Sequence, residues 1–427
     1  MKQIVDKFIE SKKDEMLKDL SLLIKYESTT DNLEENIACL KALNNLAKAK
    51  GFTTKTTKNN DVLIIEMGEG KETLGILAHL DVVDTGDLEK WETDPFEAVI
   101  KNNYIYGRGT EDDKGACVMS LYAMEAVKNL NLPFKRKVQL IIGTKEEEEW
   151  TDIAHFKEEY HVPDFGFSPD GSFPIYNEEK GYADVVLLFK EEGIVELKAG
   201  ESYNTIPSKA EITLSNKQKI VAEGTSAHSS MPEKGDNAIS NLSEKLLKTE
   251  EAKNKSFVLF INDYFSHNSF GEKLLRDKDE DCESRTTLVP TVLSLTEEGI
   301  KLVINIRHNM GITYEDIFNA FEPLKTKYKF TFNIEGCLNP MYVDPGLFFL
   351  EQMDNVQKEY KIKGGFKAAS GSSYAKSMNN FVSWGPVMEN EESTAHMENE
   401  RLSMDTMILA TKIYAYYIYK MAIKEGE

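Results

Sequence analysis

The chain has 427 residues, 41% of them hydrophobic and 29% charged, and 72 acidic against 51 basic side chains give a formal net charge of −21. That length exceeds a single hydrophobic core and suits two or three domains, and the composition excludes a disordered chain. So acidic a protein repels phosphate backbones, and its longest basic run, Lys135-Arg136-Lys137, is too short for a compensating patch, so no nucleic-acid partner is expected.

The first twenty residues are charged throughout and lack the apolar centre of a secretory leader. Helical spacing then runs through Val5, Phe8 and Ile9, through Leu20, Leu22, Leu23 and Ile24, and through Leu40, Leu43 and Leu46. Next come short apolar runs that stop in carboxylate-rich loops. Leu74 to Ala78 stops in HLDVVD, Tyr104 to Tyr106 in GRGTEDDKG, Val138 to Ile142 in GTKEEEE, and Phe165 to Phe167 in SPD. A helical pattern over Ala116 to Leu130 separates two of them. Strands alternating with helices predict an α/β fold with a mostly parallel sheet flanked by helices. In such sheets ligands bind beyond the carboxyl ends of the strands, so the four loops are expected to meet at one edge.

From about residue 184 to about 336 the texture changes. ADVVLLF, VELKAG, AEITL, TVLSL, IKLVINIR and KFTFNI read as strands, with helical patterns near 238–248 and 314–326. This predicts an α+β domain at 184–336 inserted into a discontinuous domain made of 1–183 and 337–427. The stretch MILATKIYAYYIYKMAI reads as an amphipathic docking helix, and nowhere do eighteen apolar residues run together, so no membrane partner is expected. Cys39, Cys117, Cys282 and Cys337 are scattered and fit reduced thiols, which points to a cytoplasmic protein.

Each acidic motif has a plain reading when taken alone. His79-Leu80-Asp81 is a strand-end histidine with a capping aspartate, or a metal ligand with its orienting partner. Asp112-Asp113 caps a helix, or uses the freedom of Gly107, Gly109 and Gly115 to approach a ligand closely. In the run Glu146 to Glu149 the last two fit a solvated face, whereas Glu146 and Glu147 follow the strand closely enough to divide metal binding and proton transfer. Asp170 alone is a turn aspartate, and His396 in STAHMENE is equally plain.

Taken in order, HLDVV, GRGTEDDKG, GTKEEEE, SPD, GTSAHSSMPEKG and a late AH resemble the M20 family of metallopeptidases, most of all its PepV-like and manganese-dependent dipeptidases. The resemblance runs from about residue 70 to about 400. It implies that Asp112 bridges two divalent cations, with His79 and Asp170 completing one site and Glu147 and His396 the other. Glu146 is implied as the general base, Asp81 as the partner that orients His79, and His228 as the oxyanion donor of a lid domain. Asn204 and Arg307 resemble residues that hold substrate, and Gly371, Ser372, Ser373 and Tyr374 a substrate loop, here SGSSYA in place of GGGTYA. The resemblance also implies a cis peptide bond between Asp112 and Asp113.

Nitrogen and oxygen donors suit Zn²⁺, Mn²⁺ or Co²⁺ and exclude a thiolate site. The expected reaction is hydrolysis of dipeptides with a free N-terminus, since Asp at position 170 resembles dipeptidases and Glu there resembles carboxypeptidase-like and acylase members. The alternatives are an N-acyl amino acid deacylase and a metal-binding homologue without turnover; intact Glu146 and His228 favour an enzyme. The sequence leaves monomer and dimer open.

Overall fold

A computed structural model describes residues 1–278 and 285–424, so Cys282 lies outside the described residues. The chain forms two compact units. The first comprises Met1–Asn177, Val343–Lys367 and Ser373–Glu427, and the second Glu178–Tyr342 with Ala368–Ser372.

The first unit is built on a mixed sheet whose strands run in the order Thr53–Thr56, Leu63–Met67, Lys137–Gly143, Thr73–His79, Phe165–Ser168, Phe381–Trp384 and Ile175–Glu179. The four strands from Lys137–Gly143 to Phe381–Trp384 are parallel, and the flanking strands pair antiparallel. Thr73–His79 and Lys137–Gly143 are buried along nearly their whole length, as continuous apolar runs covered on both faces should be. The expected α/β class is therefore observed, with parallel pairing confined to the centre of the sheet.

Helix Lys114–Lys128 packs on Thr73–His79 and Lys137–Gly143, and helix Met404–Ala422 packs on it in turn. The latter was expected to be amphipathic but is enclosed almost all round, by Lys2–Ser11 and Phe348–Glu359 as well, and Ile413, Tyr414, Tyr417 and Ile418 are fully buried. Each such side chain contributes about 1.5–3 kcal/mol of burial. Trp384 anchors the layer below the strand ends, edge-on to Phe167, Phe173 and Tyr417, with its indole N–H donating to Gln357 Oε1 at 3.0 Å.

One expected strand lies elsewhere. Tyr104–Tyr106 joins a separate three-stranded sheet with Val99–Lys101 and Arg401–Ser403. At three residues, with only Ile105 fully covered, it lacks the length and apolar face of a central strand.

The second unit is a seven-stranded antiparallel sheet in the order Lys219–Glu223, Lys209–Leu214, Ile194–Ala199, Thr287–Thr296, Gly299–His308, Gly181–Phe189 and Phe330–Leu338. Its core gathers the inward residues of those strands with helices Ala238–Leu247, Ser256–Phe265 and Tyr314–Phe321. Asn237 caps the first of these helices by accepting the Ile239 N–H. Among the described residues no helix is long and apolar enough to cross a membrane.

Candidate metal centre

Three strands of the first unit end side by side. His79 closes Thr73–His79 opposite Gly143, which closes Lys137–Gly143 and leads towards Glu146 and Glu147. On the other side, Phe165–Ser168 pairs with Thr73–His79 and leads to Asp170. Gly143 has to be glycine, because an added Cβ would lie 2.4 Å from the Tyr374 hydroxyl and 2.5 Å from Oδ2 of Asp152.

Asp112 arrives by another route. The chain turns through Gly107 and Gly109, at φ of 147° and 86°, and presents Asp112 and Asp113 just before helix Lys114–Lys128, across a cis peptide bond. His396 belongs to the loop between Phe381–Trp384 and Arg401–Ser403.

Nε2 of His79 lies 3.0 Å from Oδ1 of Asp112 and 3.9 Å from Oδ2 of Asp170. Nε2 of His396 lies 3.0 Å from Oδ2 of Asp112 and 2.9 Å from Oε1 of Glu147. Asp112 thus offers one oxygen to each histidine. The donor atoms fall into two groups, His79 with Glu146 and Asp170, and Asp112 with Glu147 and His396, each gathered within 4.8 Å. Glu146 therefore sits among the ligand-type groups and not apart from them.

This donor set fits divalent cations. His79 Nε2, Asp112 Oδ1 and Glu146 Oε1 are buried without a hydrogen bond among the described residues, although the first two approach to 3.0 Å. Buried polar atoms left in that condition are costly unless something else satisfies them. Nδ1 of His79 meets the Asp81 backbone carbonyl at 3.0 Å and can only donate to it, so in the neutral ring Nε2 carries the lone pair.

The charge pattern agrees. Burial pushes the Glu146 carboxyl well above its usual range, and the charge of Asp170 adds to it. Burial and the charge of Asp112 push Asp170 up to about 7. Burial and Asp112 also raise Glu147, against the hydrogen bond from His396. Burial opposes charge on His79, yet nearby Asp112 and Asp81 hold its pKa well above the ordinary value. His396 is raised too: burial works against it, and Asp112 and Glu147 outweigh that. Burial alone would raise Asp112, but His396 and His79 hold it far below the carboxylate range. Carboxylates crowded in this way favour cations, which offset their repulsion.

Other carboxylates bind the loops to one another. Asp81 Oδ1 stands 3.4 Å from His79 Nδ1, while its Oδ2 accepts the Glu147 N–H at 3.0 Å. Asp113 Oδ2 accepts the His79 N–H at 3.2 Å. Asp152 Oδ2 accepts the N–H groups of Thr144 and Lys145 at 2.7 and 3.1 Å and the Tyr374 hydroxyl at 2.6 Å. Sequence reasoning gave no role to Asp152, Glu111 or Glu400, and the helix-capping reading of Asp113 is not met by its side chain, which makes no cap hydrogen bond. Only the adjacency of Glu111 and Asp113 to Asp112, and of Glu400 to the His396 motif, was there to be read. Glu148 and Glu149 are exposed, as a solvated face requires.

The remaining sequence-derived residues are distributed as follows. Ser373 belongs to the first unit and caps the turn Tyr374–Ser377. Asn204, His228, Arg307, Gly371 and Ser372 belong to the second unit. There Thr205 pairs with His228, and the Asn204 carbonyl accepts the Ser229 N–H at 2.8 Å, so Asn204 and His228 are brought together. Exposed His228 shares a hydrogen bond with Ser230 Oγ at 2.7 Å. Arg307 is buried over the Tyr182 ring, 4.6 Å from its centroid. Gly371 is exposed, with nothing within 4 Å of a Cβ placed on it.

Residues 75–420 match the family model described as peptidase family M20/M25/M40. The Bacillus subtilis (strain 168) protein named "Putative dipeptidase YtjP" is 32% identical over 464 residues, covering 96% of this chain and 98% of that protein. Among solved structures, human carnosine dipeptidase 1 superposes with a TM-score of 0.65 at 15% identity, covering 99% of both chains. The dipeptidase Dug1p of Saccharomyces cerevisiae gives 0.67 at 13% identity, covering 98% of both. At those identities the two structures establish the fold.

Proposed function

We propose, for a chain that belongs to peptidase family M20/M25/M40 and is a metallopeptidase, that it hydrolyses dipeptides with a free N-terminus at a centre holding two divalent cations. The observation that carries this reading is Asp112, whose two carboxylate oxygens each stand 3.0 Å from a different histidine, between two groups of donor atoms. His79 and Asp170 would hold one cation, Glu147 and His396 the other, and Asp112 both. Bound there, two cations polarise a carbonyl and acidify water.

The chain's own groups do the rest. Glu146 is the general base: its Oε1 takes the proton of the attacking water and returns it to the leaving nitrogen. Burial and the neighbouring charge of Asp170 raise its carboxyl above the usual range, which suits a group that takes up a proton during the reaction. Asp81 fixes the His79 ring. The domain carrying His228 is assigned as a lid, with His228 as donor to the oxyanion and Asn204, Arg307 and the loop Gly371, Ser372, Ser373 as substrate contacts. The buried guanidinium of Arg307 suits a substrate carboxylate. Zn²⁺ or Mn²⁺ fits the donors, with Co²⁺ a third candidate.

The test is the metal-reconstituted enzyme against dipeptides, N-acetyl amino acids and tripeptides extended at the C-terminus. Turnover of dipeptides alone supports the proposal. Turnover of the acetylated compounds alone transfers the assignment to an amino acid deacylase, and no turnover with two cations bound would indicate a metal-binding homologue.

A further inference from the structure

Two carboxylates outside the ligand set join the loop of Asp112 to the loop of His396, and they reach in opposite directions. Glu400, four residues after His396 and fully buried, reaches back to the Asp112 loop. Its Oε2 accepts Arg108 Nη1 at 2.8 Å and the Gly109 N–H at 3.0 Å. Its Oε1 accepts the N–H groups of Glu111 at 2.9 Å and of Asp112 itself at 3.1 Å. Glu111, the residue before Asp112, reaches forward: its carboxylate takes the Ser393 hydroxyl, and its Oε2 accepts the Thr394 N–H and hydroxyl, both at 2.9 Å.

The segment that carries His396 is thus clamped at both ends to the segment that carries Asp112. Between the clamps His396 and Asn399 have φ of 63° and 62°. That left-handed conformation is uncommon for non-glycine residues, although asparagine and histidine adopt it more readily than most. Among the described residues neither carboxylate hydrogen-bonds to the segments that carry His79, Glu146 or Asp170.

We infer that Glu111 and Glu400 form a reciprocal latch. They are positioning residues that set the 3.0 Å approach of His396 Nε2 to Asp112 Oδ2, and through it the affinity of one cation of the pair. The inference rests on the two-cation reading above. Its chemistry also makes the two ends unequal. Every partner of Glu400 is a donor only, so Glu400→Gln must turn its own N–H₂ against at least one of them. The Ser393 hydroxyl can reverse and accept, so Glu111→Gln can keep the forward clamp where Glu111→Ala cannot.

The experiment uses the full chain, stripped of metal and titrated with Mn²⁺ against a competing chelator, with thermal melts of the metal-free form. Two binding steps are expected in the unchanged protein. E400Q and E111A should each weaken one step about 10–100-fold, the usual effect of losing a group that orients a ligand, and leave the other within about threefold. E111Q should stay within about threefold at both. The double variant E111A/E400Q should be little weaker than the worse single, since either cut opens the same joint. Ser393→Ala, which removes one donor from outside the latch, should weaken the same step less, and it supplies the test if E111A does not fold.

Cooperatively melting E400Q and E111A (or S393A) that bind both ions like the parent overturn the latch. So does equal weakening of both steps, or E111Q failing as E111A does, because each would mean a general structural role. An unchanged chain that binds fewer than two ions overturns the two-cation reading, and the latch with it.

Discussion

Replacing Glu146 with Gln separates the proposed proton carrier from the groups around it. The substitution preserves shape and removes one of four carboxylates crowded at the strand ends, where burial and Asp170 already press the Glu146 proton on. Three carboxylates and two histidines remain, so both cations should still bind. Without metal, relief of the repulsion should stabilise the protein. If that relief is about 1 kcal/mol, the metal-free Tm rises by about 2–4 °C for a unit of this size. Turnover should move the other way: losing a general base costs about 10²–10⁴ in kcat. The assay pairs steady-state kinetics on a cleaved dipeptide with metal analysis and melts of the stripped protein. A kcat within threefold of the parent would refute the role of Glu146. Loss of one cation, with Glu147→Gln as the catalytic lesion, would show that the two glutamates have each other's work.

The metal-free protein should lose stability steadily from about pH 5 to pH 9. Asp170 is raised in the fold from 3.8 to about 7, so the folded chain holds a proton that the unfolded chain lacks, and stability falls as pH rises through that window. His396, raised above 6.5, continues the fall at higher pH, whereas the window of depressed Asp112 lies below 3.8 and does not interfere. Melts across that range with and without Mn²⁺ should show the gap widening with pH; a flat metal-free profile would contradict this. Asp152→Asn should cost about 1.5–3 kcal/mol, because Oδ2 of Asp152 receives three donors and Oδ1 receives the Ile153 N–H, so the N–H₂ of an amide must face a donor in either orientation. Chemical denaturation measures that loss, and a change under 0.5 kcal/mol would show that the Thr144–Lys145 turn does not depend on Asp152.

The parts of this protein that were legible from sequence are those governed by local pattern. TLGILAH and KVQLIIG are short, mostly apolar runs that read as central strands, and the alternating runs between Gly181 and Leu338 are strands of an antiparallel sheet. Where pattern and partner disagree, partner wins. Tyr104–Tyr106 looks like the other strands that precede acidic loops, yet it pairs with Arg401–Ser403, nearly three hundred residues away. Helix Ser256–Phe265 hides in SFVLFINDYF, where aromatic residues stand so close together that helical and extended spacing cannot be told apart.

The donor residues were legible from the order of their motifs, which resembles that of the M20 family, since each motif taken alone had a plain reading. The residues that hold them were not, because a buried carboxylate is defined by its donors. Glu400 receives the Asp112 N–H across 288 positions of sequence, and nothing in MENE distinguishes it from the exposed glutamates elsewhere in the chain. Asp152 likewise reads as an ordinary acid in the first turn of a helix, although it is buried and organises the turn before Glu146.

The proposed mechanism depends on Asp112 joining two cations. Anomalous diffraction from crystals of the Mn²⁺-loaded chain tests it most directly. Two peaks about 3.5–4 Å apart are expected, as in two-metal hydrolytic sites, with one Asp112 oxygen towards each, His79 and Asp170 on one ion, and Glu147 and His396 on the other. A single peak, or two peaks with Asp112 turned away from either, would contradict it.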